Sequence, residues 1–96
     1  MKSQEIINQL RGEMPLMRTR FGVEEIGLFG SYARNDMKAN SDLDFLVKLQ
    51  EPSFLKLAGL LNFLENKFNS KVDITTKHQH LSERFLKAIE NEIIYA

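Results

Sequence analysis

The first twenty positions of the chain carry apolar residues at three- and four-residue spacing, as on one face of a helix. The pattern predicts a helix from Ser3 to about Phe21, with Ser3 as its N-cap. Because Pro15 cannot donate a backbone hydrogen bond, we expect a break near Gly12 to Met14, with Pro15 starting a second helical piece. Gly22 would end that piece. The residues that set the pattern are Ile6, Leu10, Met14 and Met17.

Two segments with the pattern of β-strands follow. Glu25 to Phe29 is predicted as a short buried strand that stops at Gly30, where the chain must turn. Asp42 to Leu49 alternates strictly, which predicts a strand with one apolar face and one polar face. Its apolar face would carry Leu43, Phe45, Val47 and Leu49, and its other face Asp42, Asp44, Leu46 and Lys48.

The remaining pattern predicts a helix, a third strand and a final helix. Pro52-Ser53 opens the first of these helices, whose apolar stripe we interpret as core, with a partner groove as the alternative. The stripe consists of Phe54, Leu57, Leu61, Leu64 and Phe68. Lys71 to Thr76 would be the third strand, and about Ser82 to Ile94 the last helix. This order predicts an α/β or α+β fold with helices packed on one face of a small mixed sheet.

The composition narrows the classes of protein that fit this pattern. With 96 residues and 43% hydrophobic content, the chain is expected to form a single domain over residues 1–96. Thirteen basic and thirteen acidic residues give zero net charge, so we expect neither direct nucleic-acid binding nor membrane binding. The absence of cysteine and of an apolar leader favours the cytoplasm.

Asp42 and Asp44 are the first candidates for chemistry. Carboxylates at positions i and i+2 of a strand project from the same face within roughly 7 Å, a span that two divalent cations could bridge. A solvated polar strand face is the alternative interpretation. Because two like charges beside a buried strand are unfavourable unless a cation lies between them, the arrangement favours a metal site.

Gly30-Ser31 is the second candidate, since the predicted strand ends there and a helical turn is expected from Ser31 to Arg34. Backbone N–H groups at such a start point toward an anion, glycine allows close approach, and the serine hydroxyl adds a donor. An ordinary turn is the alternative. Arg34, three residues later, suits either bidentate phosphate contact or pairing with a nearby aspartate, and the sequence leaves both uses open.

These motifs resemble the signature of the minimal nucleotidyltransferases in the DNA polymerase β superfamily. The resemblance is carried by Gly30-Ser31-x-Ala33-Arg34 and Ser41-Asp42-x-Asp44, and extends through Phe21-Gly22-Val23, Val72-Asp73-Ile74 and a closing helix from Ile89 to Tyr95. It covers nearly the whole chain and implies a polymerase β-like nucleotidyltransferase fold. One departure is Asn35, where the family usually carries glycine, although asparagine tolerates a positive φ.

The resemblance implies a magnesium-dependent nucleotidyltransferase, an adenylyltransferase that uses ATP. Asp42, Asp44 and Asp73 would hold two Mg²⁺ ions, with Asp44 bridging both and Asp73 also accepting a proton. An acceptor hydroxyl would attack the α-phosphate and release pyrophosphate. Gly30 and Ser31 would hold the terminal phosphates, and the remaining nucleotide-binding positions are Arg34 and Ser41.

The resemblance also implies a separate protein partner. Minimal nucleotidyltransferases of this size resemble the smaller protein of two-protein toxin–antitoxin systems, in which the other protein is an all-helical HEPN domain. The acceptor would then be a tyrosine of that HEPN partner. The alternative function is an antitoxin-like module that masks a helical partner with weak or no catalysis. A polymerase fragment is disfavoured by the neutral charge, and association of the chain with itself stays open.

Several other residues are interpreted as structural. His78 and His80 are expected at the surface rather than as a metal pair, because the sequence offers no third ligand beside them. Tyr32 is expected to pack or face solvent rather than stack on a base. Lys71 and Lys77, which flank Asp73, are interpreted as solvated lysines rather than as groups that act on Asp73 or bind a polyanion.

Overall fold

A computed structural model describes residues 1–77 and 80–96, with helices and strands that alternate along much of the chain. The elements are α1 (Ser3–Phe21), β1 (Val23–Phe29), α2 (Ser31–Arg34), β2 (Leu43–Leu49), α3 (Phe54–Phe68), β3 (Val72–Thr76), α4 (Glu83–Ile89) and β4 (Ile94–Tyr95). The strands form one sheet in the order β3-β2-β1-β4. β1 pairs antiparallel with β2 and β4, whereas β2 and β3 are parallel. The sheet is therefore mixed, as predicted.

The main core lies on the face of β2 that the alternation predicted to be apolar. Leu43, Phe45, Val47 and Leu49 are each at most 2% exposed. α1 and α3 cover this face, and the Phe45 and Phe68 rings approach to 6.2 Å between centroids. The two long helices thus pack on one side of the sheet and leave the opposite side for other contacts.

A smaller apolar cluster covers part of the opposite face. Leu46 is 2% exposed there and packs with Phe29 and Ile89, while the Phe85 ring meets Phe29 edge-on at 5.7 Å. The alternation had placed Leu46 on the polar face of the strand. α4 therefore covers Leu46, while Asp44 and Lys48 on either side of it keep this face polar at the two ends of β2.

The predicted break in the first helix is wrong, because α1 runs without interruption from Ser3 to Phe21 with Pro15 inside it. Pro15 has no N–H to donate to the carbonyl of Arg11, one turn earlier. Both residues lie on the exposed side of the helix. The buried stripe continues past them on the other side, so packing keeps the helix intact. The N-cap is Lys2 rather than Ser3, and Gly22 ends the helix with φ 69°, as expected.

The predicted last helix is too long. α4 ends at Ile89, and the segment from Ile89 to Tyr95 is not a closing helix, because Ile94–Tyr95 forms β4. Pairing of β4 with β1 satisfies backbone hydrogen-bonding groups of β1 that would otherwise lie at an open edge of the sheet. Gly27 of β1 makes room for this segment, since a β-carbon there would lie 2.8 Å from Cδ1 of Ile93.

The predicted stripe of the second long helix is only partly core. Phe54 is 84% exposed, and the buried positions of α3 are Leu60, Leu64 and Phe68. Phe54 lies in the first turn of α3, where an open groove separates the helix from β3. The prediction of a core position is therefore wrong for Phe54. Among the described residues, none of the helices is long and apolar enough to cross a membrane.

Candidate active site

Asp44 and Asp73 lie side by side on neighbouring strands. The parallel register of β2 and β3 pairs these two residues directly, and paired residues on adjacent strands are roughly 5 Å apart. Both alternate with residues that pack in the main core and so project from the opposite face of the sheet. Asp42 is exposed just before β2 begins. The fold thus brings a carboxylate distant in sequence beside the Asp-x-Asp motif.

The environment of Asp44 disfavours its charged form. Partial burial, followed by the negative charges of Asp73, Asp42 and Glu92, raises the pKa of the Asp44 carboxyl to about 6, and Arg34 opposes the shift. Like charges therefore converge on Asp44 without full compensation. A cation at this position would relieve the repulsion.

The donor chemistry fits a hard divalent cation, although the protein ligands are few. Within residues 1–77 and 80–96, no group of three or more His, Cys, Asp or Glu side chains is arranged to hold a metal ion. Mg²⁺ is usually held by one or two carboxylates, with substrate phosphates and water completing its shell. The uncompensated carboxylates at Asp44 suit such a shared site.

Gly30 forms the turn beside Asp44 and has a conformation that favours glycine. Its φ of 78° and ψ of −157° lie in a region that other residues rarely adopt. A β-carbon at this position would also collide with the Asp44 carboxylate. The turn and the carboxylate are therefore packed together, and the predicted helical turn from Ser31 to Arg34 follows directly as α2.

Glu92, which the motifs did not point to, contacts this turn from the segment before β4. Its Oε2 accepts a hydrogen bond from the Gly30 N–H, and its carboxylate is 3.0 and 3.1 Å from Nη1 of Arg34. Arg34 also pairs with Asp36 at 3.1 Å. Of the two uses left open for Arg34, the structure shows pairing with carboxylates. No sequence pattern indicated this contact, because it depends on the pairing of β4 with β1, which brings Glu92 close to Gly30.

Ser41 and Asn35 organise the chain around the site. Ser41 Oγ accepts a hydrogen bond from the Lys38 N–H at 2.8 Å, which closes the loop before β2. Asn35 has φ 58°, which confirms that asparagine adopts the positive φ expected here. Its side chain accepts a bond from the Ser3 N–H at 3.0 Å and donates one to Ser3 Oγ at 3.2 Å. Asn35 therefore joins the end of α2 to the start of α1.

We expect Asn35→Ala to destabilise the fold more than Asn35→Gly. Both changes remove the bonds to Ser3, at a cost of about 1 kcal/mol, but alanine adds about 1 kcal/mol of strain at positive φ. Urea denaturation of the two variants and the wild type measures the difference. An Asn35→Gly protein as stable as the wild type would show that the bonds to Ser3 contribute little.

The residues interpreted as structural are placed as follows. His78 lies outside the described residues, and His80 is exposed. Tyr32 is half-buried and packs against the main core. Lys71 is exposed, and Lys77 pairs with Glu25 at 2.7 Å.

Comparison with known proteins places this geometry in a family. The family model of the nucleotidyltransferase domain matches residues 10–96. A solved structure described as a candidate minimal nucleotidyltransferase superposes with a TM-score of 0.78 at 29% identity, covering 98% of this chain and 95% of that one. The chain belongs to the minimal nucleotidyltransferase family. The resemblance drawn from the motifs is thereby confirmed.

Two further proteins resemble this minimal nucleotidyltransferase. The protein adenylyltransferase MntA of Thermococcus cleftensis is 40% identical over 93 residues, which cover 96% of this chain and 93% of MntA. A chain in the complex of a tri-AMPylated Shewanella oneidensis HEPN toxin with its MNT antitoxin superposes with a TM-score of 0.58. That chain is 21% identical, with 97% of this chain and 66% of that one covered, so the likeness concerns the fold.

Proposed function

We propose that this minimal nucleotidyltransferase transfers AMP from ATP to a hydroxyl group on another protein. The observation that carries the proposal is the pairing of Asp44 with Asp73 beside the Gly30 turn. This arrangement puts the carboxylates next to backbone and guanidinium groups suited to phosphate. The name of MntA, a protein adenylyltransferase, supports both the nucleotide and the class of acceptor.

In the proposed reaction, Asp42, Asp44 and Asp73 would hold Mg²⁺ together with phosphate oxygens and water. When bound, Mg²⁺ would supply positive charge that offsets the charge on the phosphates and favours ionisation of the attacking hydroxyl. The acceptor oxygen forms a bond to the α-phosphorus, while the bond from that phosphorus to the pyrophosphate oxygen breaks. Asp73, exposed at the edge strand, accepts the hydroxyl proton.

The Gly30 turn and its surroundings hold the terminal phosphates in this proposal. The Ser31 hydroxyl and the Arg34 guanidinium donate to phosphate oxygens, and Ser41 supports the nucleotide from the loop before β2. Gly30 N–H and Arg34 are engaged by Glu92 in the structure. Phosphate oxygens must therefore replace the Glu92 carboxylate or share its donors.

We expect Glu92→Gln to bind MgATP several-fold more tightly than the wild type. The substitution removes a negative charge that competes with phosphate for Gly30 and Arg34. It should also cost about 1 kcal/mol of stability, because a charge-assisted hydrogen bond is weakened. Isothermal titration calorimetry gives the affinity, with the exposed Glu90→Gln as control. Weaker binding by Glu92→Gln would mean that Glu92 mainly holds the turn in place.

The proposed acceptor is a tyrosine of a helical HEPN-type partner. The shared fold with a chain from the AMPylated HEPN toxin complex motivates this choice of partner. AMP on a tyrosine adds negative charge and would impair a nucleic-acid site on the partner. The second candidate function is masking of that partner with weak catalysis, and the engagement of Gly30 and Arg34 by Glu92 favours it.

Co-expression with a HEPN-type protein tests the proposal directly. Intact-mass measurement of the partner should show discrete additions of AMP with the wild type and none with Asp44→Asn. A tight complex with unmodified partner would support masking. Absence of both binding and modification would contradict the proposed partner, and AMP transfer to a small molecule would contradict the protein acceptor.

A further inference from the structure

The segment that leads into β4 places an anion on the donors that the proposed function assigns to phosphate. Oε2 of Glu92 accepts a hydrogen bond from the Gly30 N–H, and the two carboxylate oxygens lie 3.0 and 3.1 Å from Nη1 of Arg34. The Glu92 side chain is 17% exposed, against 47% for Arg34. Because a backbone N–H is a single donor, Glu92 occupies the position at Gly30 that a phosphate oxygen needs.

The backbone on either side of Glu92 limits how far its carboxylate can move alone. The N–H groups of Glu92 and Ile93 both donate to the Ile89 carbonyl, at 3.0 and 2.9 Å. On the other side, Ile94–Tyr95 pairs with β1 as β4. We call residues 92–96 the β4 strap. A carboxylate that turned aside within a fixed strap would stay near a bound phosphate and repel it, so freeing these donors requires movement of the strap.

The strap rests on β1 at Gly27, where there is no side chain. A β-carbon at this position would lie 2.8 Å from Cδ1 of Ile93 and 3.0 Å from Cδ1 of Tyr95. Carbon atoms in ordinary contact lie roughly 3.5–4.0 Å apart, so a larger residue would push the strap away. Among the described residues, the glycines at positive φ are Gly22 and Gly30. Packing under the strap, rather than backbone conformation, therefore calls for glycine at position 27.

The closed position of the strap depends on a short strand and partly buried side chains. β4 has two residues, and Tyr95 is 42% exposed. Ile93 packs partly against the smaller apolar cluster and Ile94 partly against the main core. Short elements at the surface open at a lower cost in free energy than the core. A ligand therefore displaces the strap if it binds the open form sufficiently more tightly than the closed form.

We propose that the β4 strap is an autoinhibitory device, held closed by the bare surface of Gly27 and opened by the nucleotide. This role rests on the proposed function, because the donors under the strap are those assigned to phosphate. In the closed form, Glu92 occupies the Gly30 N–H and Arg34. When a nucleoside triphosphate binds, its phosphate oxygens take these donors and the strap leaves Gly27. The apparent affinity for nucleotide is then the intrinsic affinity multiplied by the fraction of molecules whose strap is open.

Two substitutions outside the phosphate donors should open the strap. Gly27→Ala places a methyl group beneath Ile93 and Tyr95. Ala96→Pro removes the N–H that donates to the Ile26 carbonyl at 3.0 Å. Isothermal titration calorimetry should show that each variant binds MgATP several-fold more tightly than wild type, because each raises the open fraction.

Gly59→Ala is the matched control, since it also introduces a close contact at a glycine but on the other side of the sheet. A β-carbon there would lie 2.9 Å from Cε1 of Phe21, in the main core. Its affinity for MgATP should equal that of wild type. In a second control, Glu92→Ala removes the blocking carboxylate, so adding Gly27→Ala or Ala96→Pro to it should change the affinity by less than about twofold.

NMR of the Ile93 methyl groups reports the position of the strap directly. In free wild type, the Cδ1 methyl of Ile93 should show a nuclear Overhauser effect to the α-protons of Gly27, and saturating MgATP should remove it. An effect that persists in the MgATP complex overturns the strap proposal. A full gain in affinity in the Glu92→Ala background overturns it as well, because the gain would then not depend on the carboxylate.

The calorimetric outcomes separate the strap from the reaction. Unchanged or weaker MgATP binding by both opening variants overturns the strap, and weaker binding would mean that the segment supports the Gly30 turn. Absence of MgATP binding in every variant also overturns it, because Glu92 would then block nothing. Tighter binding without AMP transfer supports the strap and counts against the proposed function alone. If Gly27→Ala does not fold, Ala96→Pro decides between these outcomes.

Discussion

Asp44→Asn should reduce AMP transfer by at least about 10²–10³-fold while making the metal-free protein more stable at neutral pH. The loss of transfer follows from removing a carboxylate that would hold Mg²⁺. The gain in stability follows because burial and the charges of Asp73, Asp42 and Glu92 disfavour ionised Asp44. Urea denaturation without magnesium should show a gain on the order of 1 kcal/mol at pH 8, after allowance for screening by solvent.

The pH dependence of this difference provides an internal control. The pKa of Asp44 is raised to about 6 in the folded protein from an ordinary value of 3.8. Because the unfolded carboxyl ionises at lower pH than the folded one, wild type loses stability relative to Asp44→Asn as the pH rises from about 4 to about 6, and the two should converge below the ordinary pKa of 3.8. A gain that is the same at about pH 3.5 and about pH 8 would contradict the electrostatic explanation. Unfolding of Asp44→Asn would show that the carboxylate is required for the fold.

Gly30→Ala should destabilise the protein by about 2–3 kcal/mol and abolish detectable transfer. Part of the cost is strain, because alanine is unfavourable at φ 78° and ψ −157°. The rest arises because the new β-carbon would displace the Asp44 carboxylate. Denaturation in urea and a transfer assay on the same preparation measure both effects.

Gly12→Ala provides the matched glycine control for that variant. Gly12 lies within α1, and a β-carbon there would meet nothing within 4 Å. Alanine should therefore stabilise the helix by up to about 1 kcal/mol and leave transfer unchanged. Opposite signs at the two positions would confirm that the Gly30 effect is local to the turn. A similar loss of stability in Gly12→Ala would instead indicate a general sensitivity to glycine replacement.

The parts of the fold that depend on short-range pattern could be predicted from the sequence. The alternation from Leu43 to Leu49 identified the buried face of β2, since a period of two directly encodes which side chains share a face. The end of α1 at Gly22 followed from residue type. The positive φ of Asn35 followed from the resemblance, because the family usually carries glycine there and asparagine tolerates the same conformation. The motif spacing also led to the correct family.

The errors arose where tertiary contacts outweigh local preference. Pro15 breaks an isolated helix, yet the buried stripe on its far side keeps α1 continuous. Ile94 and Tyr95 fit a helical pattern, but pairing with β1 offers them backbone partners that a helix end would lack. Phe54 shares the spacing of core residues and lies where no described element covers it.

The same limitation explains which site residues could be found. Asp42 and Asp44 are two residues apart at the start of β2, so their relation was visible in the sequence, and the resemblance supplied Asp73. Glu92 depends on β4 lying beside β1, a pairing between distant segments that no local pattern encodes. The hydrogen bonds between Asn35 and Ser3 could not be predicted for the same reason.

The short length of β4 bears on how quickly the Gly30 turn can change partners. β4 has two residues, Ile94 and Tyr95, and pairs with a strand near the opposite end of the chain. A short edge strand can open while the core remains folded. Opening would draw Glu92 away from Gly30 and Arg34. Nucleotide capture could then be limited by this local unfolding rather than by diffusion, at a rate reported by amide exchange in β4.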